Sequence, residues 1–109
     1  MNELYVTDLD GTLLNRQDRV SPFSVRVINE LVDRGLQFTY ATARSLVSAS
    51  KVAEGLSTKI PVIAYNGAFI LRPSTGEVLS REAFTDDERS KVRKILDRYQ
   101  ISPPYLFLY

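Results

Sequence analysis

Apolar positions along the chain repeat with two periods, and the switches between them mark out the elements. "LYVT", residues 4–7, is a short apolar and β-branched run that predicts a buried strand stopping at Asp8. "SPFSVRVINELVDRG" changes to helical spacing. Ser21 suits the cap, Pro22 the first turn and Gly35 the exit, with Val27, Ile28 and Leu31 on one face. "LQFTYAT" reads as a second strand, "RSLVSASKVAEG" as a shorter helix weakened by its serines, and "IPVIAYNG" as a third strand. "AFILRPSTGEVLS" predicts a hairpin turning at Ser74, Thr75 and Gly76. "TDDERSKVRKILDRYQ" carries a T-x-x-E capping box, Thr85 and Glu88, ahead of Val92, Ile95, Leu96 and Tyr99 at helical spacing. After two prolines, "YLFLY" reads as a last strand.

The order β-α-β-α-β implies an α/β fold: parallel strands joined by right-handed crossovers, with helices on both faces of the sheet. Ligands in such sheets bind beyond the carboxyl ends of the strands. Asp8 ends the first strand, Thr42 the second and Asn66 the third, so these polar groups are expected on one edge.

Composition narrows the chemistry. The 109 residues, 44% hydrophobic and 25% charged, suit about one soluble domain. A net charge of +1 carries no nucleic-acid footprint. With neither cysteine nor histidine, thiol chemistry, disulfides and zinc sites built on those ligands are excluded, and the usual general base is missing. The opening residues lack the pattern of a signal peptide, and no apolar run approaches the roughly 20 residues of a membrane span. A cytoplasmic protein is the expectation.

In "DLDGT" two carboxylates flank one leucine. An extended backbone would point Asp8 and Asp10 to the same side, where both ionise only if a cation lies between them or one keeps a proton. Mg²⁺ prefers such oxygens and bridges to phosphate. A carboxylate can also attack phosphorus while its neighbour moves a proton. Gly11 lets the backbone approach an anion, and the Thr42 hydroxyl with the amides after it can hold further oxygens. Beside these stand plainer readings: Asp-Gly and Asn-Gly are ordinary turn pairs, Thr42 an ordinary strand threonine and Arg44 a solvated charge.

"DLDGTLL" resembles the first motif, D-x-D-G-T, of the haloacid dehalogenase (HAD) superfamily. "VSPFSVRVINELVDRGLQFTYATAR" and "PVIAYNGAFI" are similar to segments of its Cof-type branch, and the resemblance covers nearly the whole chain. It implies a three-layer Rossmann-like core, present as a partial parallel sheet with flanking helices, followed by a β-hairpin and the start of an α+β cap. The expected division is residues 1–81 for half of the core and 82–109 for the beginning of the cap. It implies a Mg²⁺-dependent phosphatase acting on a small phosphorylated metabolite through an aspartyl-phosphate. Asp8 would be nucleophile and metal ligand. Asp10 would be acid/base and would ligate through its main-chain carbonyl. Leu9, Gly11, Thr12, Thr42, Ala43, Arg44, Asn66 and Gly67 would line the phosphate and substrate. Ala43 stands where the branch usually has glycine. The family's third-motif lysine and fourth-motif acidic pair have no counterpart: Lys51 and Lys59 are misplaced, and Asp86–Asp87 suit a helix N-terminus instead. The expectation is therefore an N-terminal piece, inactive alone and prone to self-association through its incomplete sheet. A phosphomutase of the same superfamily, a phosphate- or Mg²⁺-binding module without turnover, and a receiver-like phospho-acceptor are the competing readings. The last expects its acceptor after the third strand, not the first.

Overall fold

The computed structural model describes residues 3–101. In chain order these form β1 (Leu4–Thr7), α1 (Pro22–Asp33), β2 (Gln37–Tyr40), α2 (Leu46–Val52), β3 (Val62–Ala64), β4 (Phe69–Leu71), β5 (Val78–Arg81) and α3 (Asp86–Arg98). The strand expected in "YLFLY" lies outside the described residues. No described helix is long and apolar enough to cross a membrane.

β1 and β2 pair in parallel, Leu4 against Gln37 through Thr7 against Tyr40. A parallel bridge from Ala41 to Ile63 carries the order on to β3. β3 then reverses, so that β3, β4 and β5 form an antiparallel sheet. The α/β class and the hairpin expected from the sequence are therefore both present. The pairing of β3 with β4 is an addition: "YNG" turns the chain within three residues and lays Phe69 against Ala64.

Capping explains where the helices start. Ser21 Oγ accepts the Ser24 amide at 3.1 Å, with Pro22 next in the first turn. Ser45 Oγ accepts the Ser48 amide at 3.1 Å, which limits α2 to a start at Leu46. The capping box of α3 closes in both directions: the Thr85 amide donates to Glu88 Oε1 at 2.9 Å and the Glu88 amide to Thr85 Oγ1 at 3.1 Å. Side chains then tie the layers together. Asn29 of α1 donates to the Gly55 carbonyl and accepts the Ser57 amide, while the buried Thr39 hydroxyl donates to the Pro61 carbonyl ahead of β3.

The core gathers Leu9, Tyr40, Ala49, Val52, Val62, Ala64, Phe69 and Leu71. Leu9 and Val62 are fully buried, each worth about 1.5–3 kcal/mol in transfer from water. Two expectations need correction. β1 is not a buried strand: Leu4, Tyr5 and Val6 are 57%, 47% and 48% exposed, because β2 is its one partner among the described residues. The inner face of α1 centres on Val25 and Val32, seven residues apart, rather than on Leu31. Leu31 follows the helix round by about 100° from Val32 and stays exposed. α3 buries none of its residues, leaving Ile95 and Tyr99 exposed. The molecule measures 52 × 30 × 22 Å.

Candidate active site

Leu9 explains the position of both aspartates. Its side chain is fully buried, so the loop after β1 is anchored by Leu9 and leaves Asp8 and Asp10 on the outer side. The expected extended run is replaced by a wide turn over Leu9–Leu13, closed by the Leu14 amide donating to the Leu9 carbonyl at 3.0 Å. Asp8 itself is extended and its Oδ1 accepts the Leu9 amide at 2.7 Å. Gly11 takes φ +75, although a side chain there would meet nothing within 4 Å. Its backbone conformation, not space, calls for glycine. Thr12 is exposed on the same turn.

The ends of β2 and β3 are stitched to this edge by backbone hydrogen bonds. The Ala41 amide donates to the Thr7 carbonyl at 2.8 Å, the Thr42 amide to Ile63 at 2.9 Å and the Asn66 amide to Thr42 at 3.0 Å. Asp8 thus follows the last β1–β2 pair, Thr7 with Tyr40, on one strand as Ala41 follows it on the other, with Thr42 one residue further on. The Thr42 side chain is buried and its Oγ1 accepts the Arg44 amide at 3.1 Å. The Arg44 carbonyl in turn accepts the Tyr65 amide at 3.0 Å.

Arg44 joins the two loops most firmly. Its Nε donates to Asp10 Oδ2 at 2.8 Å, its Nη2 to Asp10 Oδ1 at 2.7 Å and its Nη1 to Ser48 Oγ at 2.8 Å. Such a two-pronged pair is the strong form of a charged hydrogen bond. These hydrogen bonds, outweighing partial burial and helped by the guanidinium charge, hold the Asp10 carboxyl below the ordinary carboxylate range. Asp10 is therefore a carboxylate at neutral pH.

The third loop is strained. Tyr65, Asn66 and Gly67 take φ of +51, +55 and +92 in succession. Asn and Gly enter that region readily, but a tyrosine there is an outlier that costs about 1–2 kcal/mol. Between this loop, α2 and the start of α3 lies a cleft of about 900 Å³ lined by Asp10, Ala43, Arg44 and Asn66. Ser45, Ser48, Tyr65, Glu82, Phe84 and Glu88 line it as well, and sequence reasoning missed them. Ser45 and Ser48 carry one signal in the sequence, a serine cap and a serine three residues on at the start of α2, although serines also weaken a helix. Asp8, Leu9, Gly11, Thr12, Thr42 and Gly67 do not line this cleft.

For a metal, no group of three or more acidic, histidine or cysteine side chains gathers among the described residues. Asp8 and Asp10 are hard oxygen donors. They suit Mg²⁺ in kind and number, because that ion is commonly held by one or two carboxylates together with waters and phosphate oxygens.

A parallel sheet with acids after its first strand, a buried threonine after the second and an Asn-Gly turn after the third gathers polar groups on the carboxyl edge, where α/β sheets bind their ligands. Residues 5–108 match the family profile of haloacid dehalogenase-like hydrolases, and the chain belongs to that family. Among curated relatives, the 5-amino-6-(5-phospho-D-ribitylamino)uracil phosphatase YwtE of Bacillus subtilis is 36% identical over 84 residues, covering 77% of this chain and 28% of that protein. Among solved structures, the HAD phosphatase BT1666 of Bacteroides thetaiotaomicron superposes with a TM-score of 0.78 at 26% identity, covering 92% of this chain and 37% of that one. TM0651 of Thermotoga maritima superposes with a TM-score of 0.70 at 31% identity, covering 91% and 37%. The chain spans about a third of the length of the curated relatives it matches.

Proposed function

We propose that the chain carries the nucleophile half of a Mg²⁺-dependent phosphoric monoester hydrolase that works on a small phosphorylated metabolite through an aspartyl-phosphate. The observation that carries this reading is the anchoring of Asp8 and Asp10 by Leu9 on the edge where Thr42 and Asn66 end their strands. An Asp8 carboxylate oxygen attacks phosphorus, the P–O bond to the alcohol breaks, and Asp10 gives the departing alkoxide its proton. Water then attacks the acyl phosphate, Asp10 takes the proton and Asp8 is released. Thr42 and the Gly11 amide hold the non-reacting oxygens. Mg²⁺, held by the Asp8 carboxylate and the Asp10 carbonyl, would supply positive charge against the phosphate oxygens.

Asp10 cannot donate a proton while Arg44 grips both its oxygens. A phosphate dianion is the natural competitor for that guanidinium, so in this reading substrate entry frees the Asp10 carboxylate, which takes up a proton from solvent and then gives it to the departing alkoxide.

The second half of the proposal is that these 109 residues alone turn over phosphate esters very slowly or not at all. Lys51 lies on α2, Lys59 pairs with Asp33 at 3.2 Å ahead of β3, Lys91 pairs with Asp87, and Lys94 lies on α3. Among the described residues no lysine ends a core strand to offset the charge of nucleophile and phosphate. Hydrolysis of p-nitrophenyl phosphate with Mg²⁺ tests both halves. A robust rate abolished by Asp8→Asn would uphold the chemistry and overturn the inactivity; a rate insensitive to Asp8→Asn would overturn the chemistry. A phosphomutase is the alternative enzyme reading, and a phosphate- or Mg²⁺-binding module without turnover the non-enzymatic one. The latter is favoured if Asp8-dependent binding persists with no chemistry once the rest of a relative's core is supplied.

A further inference from the structure

The Arg44 guanidinium meets Asp10 along its Nε–Nη2 edge and gives Nη1 to Ser48 Oγ at 2.8 Å. The first contact belongs to the chemistry above. The second does not follow from it.

Nor does it follow from helix capping. In α3 the third residue past the cap, Glu88, reaches back to the Thr85 amide and closes a box. In α1 the corresponding serine, Ser24, has its hydroxyl 3.0 Å from the Ser21 cap hydroxyl. α2 repeats the serine spacing with Ser45 and Ser48, and the Ser48 amide makes the cap bond to Ser45 Oγ. The Ser48 hydroxyl goes to the residue before the cap, Arg44, four positions back in the chain. It serves the guanidinium rather than the helix.

Ser48 stands on the firmer of the two elements that hold this side chain. Leu46 packs against the core and Ala49 is fully buried within it, so the first turn of α2 is fixed on both sides of Ser48. Asp10 lies on the turn after β1, its side chain 49% exposed. When phosphate displaces Asp10, the arginine loses a charged partner and regains rotamer freedom. A neutral hydroxyl on Nη1 restrains the planar fork without cancelling the charge that the phosphate needs. It keeps the Nε–Nη2 edge turned to the place that Asp10 leaves.

We propose that Ser48 is a positioning residue, whose hydroxyl holds the Arg44 guanidinium toward the phosphoryl group once Asp10 has let go. The inference rests on the phosphatase reading and adds to it the residue that retains the phosphate-binding cation.

Two NMR measurements on the 109-residue chain test it. The first is ¹⁵N relaxation at Arg44 Nε in Asp10→Ala, a substitution at an exposed position that imitates the released acid without phosphate. The Nε–H group should stay ordered there, fall to an order parameter below about 0.6 when Ser48→Ala is added, and recover with Ser48→Thr. A role confined to the helix would lower stability and leave this signal where it is. Equal order with and without the Ser48 hydroxyl overturns the proposal. The second is titration with inorganic phosphate in Mg²⁺, followed at the Gly11 amide. Ser48→Ala should bind about tenfold more weakly, the size of one lost hydrogen bond to a charged group, and Ser48→Thr should bind like the unmodified chain. Unchanged affinity in Ser48→Ala overturns the positioning role and leaves the phosphatase reading standing. Phosphate that moves neither the Gly11 amide nor Arg44 Nε–H in the unmodified chain overturns that reading, and with it the role of Ser48 toward phosphate, even where relaxation shows that Ser48 holds Arg44.

Discussion

Arg44 closes on both carboxylate oxygens of Asp10, at 2.8 and 2.7 Å, across 34 positions of sequence. The pair bridges the loops after β1 and β2, so one interaction fixes the geometry of the site edge and the charge state of its acid/base candidate. Its titration behaviour follows. The folded carboxyl is held below its unfolded value, so the pair's contribution is fully present above about pH 4 and is lost as pH falls through the lowered folded value. The Asp10 side chain is 49% exposed, so solvent screening limits the pair to about 1 kcal/mol or less. Denaturant titrations at pH 7 and pH 2.5 should show this loss in the unmodified chain and not in Arg44→Gln. An equal acid loss in both would show that the pair carries no linkage.

Thr42 supports the same loop from beneath. Its buried hydroxyl accepts the Arg44 amide, so Thr42→Val removes the partner of that amide and should lower stability by about 1 kcal/mol. Thr42→Ser keeps the oxygen and should stay within a few tenths of the unmodified chain. Phosphate binding, followed at the Gly11 amide, should be lost in the valine variant and kept in the serine one. A valine variant that binds phosphate normally would remove Thr42 from the proposed site.

These two cases show what local sequence can and cannot reveal. The caps at Ser21 and Thr85, the Asp-Gly turn and the strand ends at Thr42 and Asn66 are set by residues within a few positions of each other. All were legible for that reason. The grip of Arg44 on Asp10 depends on how β1 and β2 lie side by side, which no window of local pattern contains. The exposure of β1 escaped for a related reason: "LYVT" reads as buried because strands of that composition usually have neighbours on both sides, and the neighbour is not written in those four residues. Tyr65 was hidden differently. "YNG" signals a turn through its last two residues, whereas the backbone extends the left-handed region one residue earlier, onto a side chain that disfavours it. Glu82 and Phe84 sit between β5 and α3, where no periodicity indicates which way a side chain faces.

Gly11 offers a test free of packing effects. A methyl group there meets nothing within 4 Å, so any cost of substitution comes from φ +75 alone. Gly11→Ala should destabilise the chain by about 1–2 kcal/mol, and Gly11→Asn by less, because asparagine tolerates that region. Thermal unfolding followed by circular dichroism separates the two. Equal losses would mean that the turn has relaxed away from the left-handed conformation and that Asp10 is no longer held where Arg44 reaches it.

The exposed flank of β1 leads to the last prediction. Leu4, Tyr5 and Val6 are each about half exposed, on a strand that has β2 on one side and no pairing on the other among the described residues. An unpaired apolar edge recruits strands, and four residues bearing no lysine or proline do nothing to prevent it. Self-association of the 109-residue chain is therefore proposed to run through β1 and to grow with concentration. Sedimentation velocity between about 10 and 500 μM should show oligomers. Val6→Lys, which places a charge on that strand without touching the buried core, should restore the monomer. The mutation also separates edge pairing from general stickiness. Association driven by the exposed face of α3 would respond to Ile95→Lys and ignore Val6→Lys, whereas pairing at β1 would do the reverse. A clean monomer across the whole range would remove the edge from consideration, and a lysine at position 6 that leaves the oligomers intact would move the contact elsewhere on the surface.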